Sequence, residues 1–448
     1  MAGQISALDQ LIVNWTTLLS ANRLGQKTTP SGSYRSAFEQ DYDRIIFSHP
    51  FRRLQDKTQV HPLPEHDFVH TRLTHSLEVS SVGRSLGKRV GEVILERHPT
   101  LGQTFSLFDF GAIVAAASLA HDLGNPPFGH AGEDALSDFF VENPDVRKEI
   151  GEAAWADLIK FEGNAQGFRI INQHEYGMNL TCATLGAFTK YPCPAFFPMR
   201  DKAKKSQRKY GFFQTEKEIF VELARLLELI PTGEGAWCRH PLAFLVEAAD
   251  DICYSIIDLE DGCRLGLVTF EETVELLAPI LKNKLDRNKL SGEEGLNKKL
   301  GTLRAMSIGE LIDACTDIFL THETEILSGK FDKALVDLCE FKIALENISE
   351  VSIRKIYRAR QVVEIEASGH EVLPGLLREF IAAASVLGRN ESSRKKSNLS
   401  LLFPVEIRTA IQGSQGEYER LRYVIDFISG LTDRHALSLY GKIKGISY

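Results

Sequence analysis

Apolar residues recur along most of this chain at steps of three and four, the spacing of one face of an α-helix. From Thr74 to Arg97 they fall at Val79, Val82, Leu86, Val90 and Val93, which predicts a long amphipathic helix. The run "FDFGAIVAAASLAHDLG" is apolar nearly all round from Phe110 to Ala120. A helix of that kind belongs in the middle of a bundle, and Gly124 and Pro126 mark where it should stop. "HPLAFLVEAADDICYSIIDLEDG" (240–262) reads as another helix, and 303–327 and 331–347 read as amphipathic ones. Strand signals are few. The best is "RQVVEIEAS" (360–368), partly alternating and followed by Gly369, with a helix expected at Pro374–Leu387. The chain is therefore expected to be mainly α, with a smaller C-terminal region that is helical or α+β.

Polar residues interrupt these apolar helices at a few places, and there the candidate chemistry lies. His121-Asp122 ends the most apolar helix, a costly place for an unpaired carboxylate. Neighbours on a regular helix point about 100° apart, and a fraying helix end lets both side chains converge on one ion. His75 is in phase with Val79 and Val82, so it should face inward. Asp250 sits within an apolar helix, with Tyr254 and Asp258 following at steps of four on roughly the same face. Helices that each direct one His or carboxylate inward make a metal site between helices. Two imidazoles and two carboxylates suit Mn²⁺, Fe²⁺, Ni²⁺ or Zn²⁺.

Composition narrows the class without choosing within it. The 448 residues allow a large core and more than one domain, with boundaries expected at 1–330 and 331–448. A net charge of −8 argues against a general nucleic-acid binder. Two local basic runs remain, "RDKAKKSQRKYG" (200–211) and "RNESSRKKSN" (389–398), both expected to be exposed and mobile. No apolar run reaches the roughly 18 residues of a membrane span, and the N-terminal stretch lacks a charged n-region. The seven cysteines are scattered, with no CxxC pair, which points to a reduced, cytoplasmic protein.

The H…HD…D order of His75, His121-Asp122 and Asp250 resembles the HD-domain metal-dependent phosphohydrolases. Longer stretches sharpen this: "FRRLQDKTQV" (51–60), "DFVHTRLTHSLEV" (67–79), "HDLGNPPFGHAGEDAL" (121–136), "FEGNAQGFRI" (161–170) and "EAADDICYSIIDLEDG" (247–262). With "VVEIEASGHEVLPGLL" and "LTDRHALSLYGKIKGI" they resemble the deoxynucleotide triphosphohydrolases, the dGTPase family, from about residue 30 to 446. The resemblance implies an HD-domain helical core and hydrolysis of a dNTP to a deoxynucleoside and tripolyphosphate. It also implies a divalent ion, Mn²⁺ or Mg²⁺ first, with Fe²⁺, Ni²⁺, Co²⁺ or Zn²⁺ also admitted. His75, His121, Asp122 and Asp250 would hold that ion, Asp122 sharing in catalysis.

By the same resemblance His130 is the catalytic histidine, returned toward the metal by the Pro126-Pro127 turn, and Glu133, one helical turn on, would orient it. Arg72, three residues before His75, and Asn125 would touch phosphate. Gln59 and Asp258 would read the sugar 3′-OH, Tyr254 would pack against the deoxyribose, and Arg53 would face phosphate or base. Relatives in other branches carry a His where this chain has Gly163, and some a basic residue where it has Asp251. Homo-oligomers, ring-like or hexameric, follow from the resemblance; a dNTP effector or single-stranded nucleic acid is a further expected partner, and a membrane is not. The alternatives are another HD phosphohydrolase, such as a 5′-nucleotidase or phosphodiesterase, and a nucleotide sensor or nucleic-acid-binding protein that no longer turns over.

Overall fold

The computed structural model describes residues 14–25, 34–60, 70–287, 295–389 and 394–446. Helix α1 (Arg72–Arg97) begins at a capping box in which Thr71 and Thr74 satisfy each other's amides. Helix α2 (Leu107–Ala120) begins at a second box, Ser106 with Asp109. These two helices pack more extensively on each other than any other pair. Gly83, Gly87 and Gly91 line the contact face of α1 at steps of four. A Cβ at Gly87 would lie 2.7 Å from the Phe110 carbonyl oxygen, so only glycine admits this approach.

Next along the chain come α3 (Gly129–Glu142) and α4 (Gly163–Asn172), then α5 (Pro241–Arg264) and α6 (Leu296–Thr321), which both pack on α1. The main apolar core runs from Trp15 and Leu18 through α1, α2, α5 and α6 to Ile356. Among the described residues the only sheet is a two-stranded one, Pro231–Gly233 with Ala236–Trp237. No helix among them is long and apolar enough to cross a membrane.

The C-terminal region is helical, through α7 (Arg360–Arg389), α8 (Glu417–Ser429) and α9 (Asp433–Lys444). Its apolar residues Leu373, Phe380, Val424 and Ile428 share a second core with Phe128, Leu136, Phe140 and Phe213. A buried charge network fastens the two halves. The Arg169 guanidinium donates to both carboxylate oxygens of Asp426 and, at 2.6 Å, to Glu216. Arg422, fully buried on α8, lies over the Phe213 ring and donates to Gln166 at 2.6 Å.

The strand expected at 360–368 is instead the first part of α7, which runs without a break through the helix expected at Pro374–Leu387. Val362, Gly369, Val372, Leu373 and Leu376 are among its buried positions, and steps of three, four and seven fit a helix packed on one side. Val363, the other half of the β-branched pair, is 47% exposed. Tertiary packing overrides the local β signal. The C-terminal α+β alternative is thereby removed. The helix expected at 303–327 starts earlier, at Leu296, and is broken at His322. The one expected at 331–347 forms only over Lys342–Val351. Of the basic runs, 200–211 is partly buried at Ser206, Gln207 and Tyr210, and 394–400 is helical, while 390–393 lie outside the described residues.

Candidate metal centre and substrate cavity

Three helices converge at one point. His75 comes from the first turn of α1, His121 caps α2, and Asp250 lies mid-way along α5. One ligand atom from each of the three lies within 4.8 Å of the other two. His75 Nε2 is 3.3 Å from Asp250 Oδ1, and His121 Nε2 is 3.4 Å from the same oxygen. The His121 ring donates from Nδ1 to the Ser118 carbonyl at 2.7 Å, which leaves the Nε2 lone pair free for an ion. Both imidazoles are buried, at 2% and 7% exposure. Two inward imidazole nitrogens and a carboxylate in a buried pocket fit a divalent transition metal.

Asp122 stands beside this trio. Its Oδ1 is 3.4 Å from His121 Nε2 and accepts from the Asn125 side chain at 2.6 Å, while its Oδ2 accepts from Arg72 at 2.7 Å. Burial works against its charge, but His121, Arg72 and His75 outweigh it and hold the carboxyl far below the usual range. Asn125 is thus the support of Asp122 rather than a free side chain.

The centre opens into a cavity of about 460 Å³, in the size range of small-molecule sites. His130 lines it too. The intervening turn passes through Phe128 at φ 65° and Gly129 at φ 59°, a left-handed pair that starts α3 and returns His130 to the cavity holding His121. Burial, together with Lys209 and Arg72, lowers the His130 pKa. Glu133 accepts the Gly163 amide at 2.7 Å, and no hydrogen bond joins it to His130. Burial and the adjacent Glu162 push Glu133 up to about 7. A Cβ at Gly163 would fall 2.2 Å from Asn125 Oδ1 and 2.8 Å from Glu133 Oε1. A side chain at this position would have to displace the ends of both Asn125 and Glu133.

Gln59 lines the cavity, and its buried Oε1 has no partner among the described residues. Tyr254 lines it as well, 40% exposed, its ring 5.4 Å from that of Tyr357. Asp258 is not on the wall. It lies behind Tyr357 and accepts that phenol's O–H at 2.8 Å, with burial pushing its carboxyl up to about 7. Arg53 is outside the cavity altogether, on the surface, donating to the Gly430 carbonyl.

Several lining residues escape the sequence reading. Lys190 is buried and bonds Asp250 Oδ2 at 2.5 Å; Lys209 pairs with Glu162 at 3.3 Å. Lys209 belonged to the basic run 200–211, where the run itself was the only signal. Lys190 is an isolated lysine just past an apolar helix, Cys182–Phe188, a placement that marks a buried cation only in hindsight. The cavity therefore carries three cations, Arg72, Lys190 and Lys209, each held by an acid. Asp251, beside Asp250, also faces the cavity, one oxygen buried without a partner among the described residues.

Residues 72–228 match the HD domain, and residues 340–442 match a phosphohydrolase-associated domain. A deoxyguanosinetriphosphate triphosphohydrolase-like protein of Synechocystis sp. is 44% identical over 97% of this chain and 100% of its own length. A protein of the same description from Pseudomonas aeruginosa is 38% identical over 97% of the chain and 99% of its own length. A deoxyguanosinetriphosphate triphosphohydrolase of Enterobacter sp. is 31% identical over 91% and 94%.

Proposed function

This chain belongs to the HD-domain phosphohydrolases of the deoxyguanosinetriphosphate triphosphohydrolase family, and we propose that it hydrolyses deoxynucleoside triphosphates to a deoxynucleoside and inorganic tripolyphosphate. The observation that carries this reading is a single cavity combining a His75–His121–Asp250 centre, His130 and three buried or half-buried cations. Bound there, a divalent ion, Mn²⁺ or Mg²⁺ in our reading, supplies Lewis-acid polarisation of a phosphate oxygen and a water of lowered pKa.

The protein's own groups account for the rest. Arg72, Lys190 and Lys209 match a triphosphate in sign and number. Water adds to the α-phosphorus, the bond from phosphorus to the 5′ oxygen breaks, and tripolyphosphate carries the water oxygen away. The departing 5′ oxygen needs a proton, and His130 is the group placed to give one. Asn125 and Arg72 hold the Asp122 carboxylate ionised and oriented. Gln59 offers its unpartnered oxygen to the sugar 3′-OH, whereas Asp258 acts on the sugar through Tyr357. Tyr254 and Tyr357 form the face against which the deoxyribose packs.

Product analysis tests the reaction. The metal-stripped protein, given Mn²⁺ and each dNTP in turn, is expected to release tripolyphosphate and deoxynucleoside, separable by ion exchange. Pyrophosphate or orthophosphate in their place would move the chain to another phosphohydrolase chemistry. The sugar face has its own test. A ring tight against C2′ leaves no room for a ribose hydroxyl. Tyr254→Ala is therefore expected to raise kcat/KM for a ribonucleotide relative to its deoxy counterpart by about tenfold. An unchanged ratio would remove Tyr254 from sugar selection.

A further inference from the structure

Helix α9 starts with an acid whose bonds leave its own helix. Asp433 is 1% exposed, and its two carboxylate oxygens accept from segments far apart in sequence. Oδ2 takes the Thr58 amide at 3.0 Å, and Oδ1 takes the Phe128 amide at 3.1 Å. The ordinary helix-capping task falls to its neighbour Thr432, whose hydroxyl accepts from the His435 amide.

Each strapped segment forms one wall of the cavity. Thr58 immediately precedes Gln59 and pairs with Thr71 in a β-bridge, and the Arg72 amide donates to the Lys57 carbonyl at 3.2 Å. Phe128 is two residues before His130 and holds a left-handed backbone at φ 65°. For a residue other than glycine that conformation is strained, so it persists only where surrounding contacts enforce it. The Asp433 bond and the packing of the Phe128 ring onto Gly369 of α7 are two such contacts. Alongside, Lys57 Nζ donates to the Asn125 carbonyl at 2.5 Å and to the Ser429 carbonyl, at the end of α8, at 2.8 Å. The straps reach the Gln59 and His130 walls without touching His75, His121 or Asp250.

We propose that Asp433 is a positioning residue, through which the C-terminal helices set the Gln59–Arg72 wall and the His130 turn at their working separation. This rests on the triphosphohydrolase reading above. An error of about 1 Å in the placement of a catalytic group can cost on the order of 100-fold in rate.

The test uses the full chain with Mn²⁺, as the parent and as Asp433→Asn and Asp433→Ala. Amide hydrogen exchange is followed at Thr58 and Phe128, together with kcat and KM for the preferred dNTP and calorimetric Mn²⁺ affinity. In Asp433→Asn, exchange is expected to quicken at one or both amides while the buried amides of α2 and α5 keep their protection. Asp433→Ala is expected to release both. In both variants kcat should fall by about tenfold or more, with Mn²⁺ affinity within about twofold. Unchanged exchange at both amides overturns the proposal, and so does kcat within about twofold of the parent despite faster exchange. A uniform rise in exchange across the chain in both variants overturns it as well, since Asp433 would then be a general stabiliser. If the parent itself yields no tripolyphosphate, the functional reading fails separately. Exchange and dGTP affinity then decide, with an affinity loss of about tenfold in Asp433→Asn required.

Discussion

His121→Ala is expected to lose nearly all bound metal and to lower turnover by about a thousandfold or more. The His121 Nε2 atom lies 3.4 Å from oxygens of both Asp122 and Asp250, so it is the group that ties the two carboxylates into one site. The bond from Nδ1 to the Ser118 carbonyl fixes which nitrogen faces inward. Without the ring, Asp250 keeps only His75 and Lys190, and Lys190 is a competitor for its oxygens rather than a partner in binding a cation. A Lewis-acid and water-activating ion contributes several kcal/mol to phosphoryl chemistry, and each 1.36 kcal/mol is about tenfold in rate. Elemental analysis of the purified variant and its kcat with Mn²⁺ in excess check this. Full metal content with near-parental turnover would show that the His75–His121–Asp250 cluster is not the working centre. The fold should survive the change, because the α1–α2 contact rests on the glycine face and apolar packing, not on the imidazole.

The clustering of His75, His121 and Asp250 was legible in the sequence because burial makes polar residues conspicuous. His75 is in phase with the apolar face of an amphipathic helix, His121 ends a strongly apolar one, Asp250 lies within another, and a buried polar group needs a reason. Helix periodicity read at single-residue level also put Asp250 and Tyr254 on one face. What periodicity cannot reveal is which residue of another segment stands in front. Asp258 has the right spacing, yet Tyr357, 99 residues on, takes its carboxylate and occupies the wall. Lys190 and Lys209 were hidden for a related reason. A lysine reads as solvated until a fold sets a carboxylate against it, and both lie in irregular stretches that carry no period.

The misread strand has a similar origin. "VVEIE" alternates for only a few residues, and a short β-branched run does not decide between strand and helix without knowing what packs on it. In the fold, Val362 and Ile365 reach the cavity wall from one face of α7, while Val363 points to water. The C-terminal region therefore contributes to the site in two ways that no local pattern announced, through α7 on the wall and through Asp433 behind it.

His130→Ala is expected to keep its metal and lower kcat by about 10²–10⁴, the range for removing a positioned proton donor. Metal retention separates it from His121→Ala, since His130 is not among the three clustered residues. Its titration gives a second, sharper expectation. In the free protein, burial and the nearby cations Lys209 and Arg72 lower the His130 pKa below its ordinary 6.5. A general acid must be protonated, so kcat/KM should fall as pH rises through a midpoint below that value. In the proposed reading a bound triphosphate lies against those same cations and brings several negative charges of its own, which favour the protonated ring. The midpoint in kcat, which reports the complex, should therefore lie at higher pH than the midpoint in kcat/KM. Profiles taken at saturating Mn²⁺, with metal content checked across the range, keep ligand protonation at His75 and His121 out of the comparison. Coincident midpoints, or a limb that persists in His130→Ala, would assign the leaving-group proton to another group. Glu133, pushed up to about 7 by burial and Glu162, would then be the next candidate.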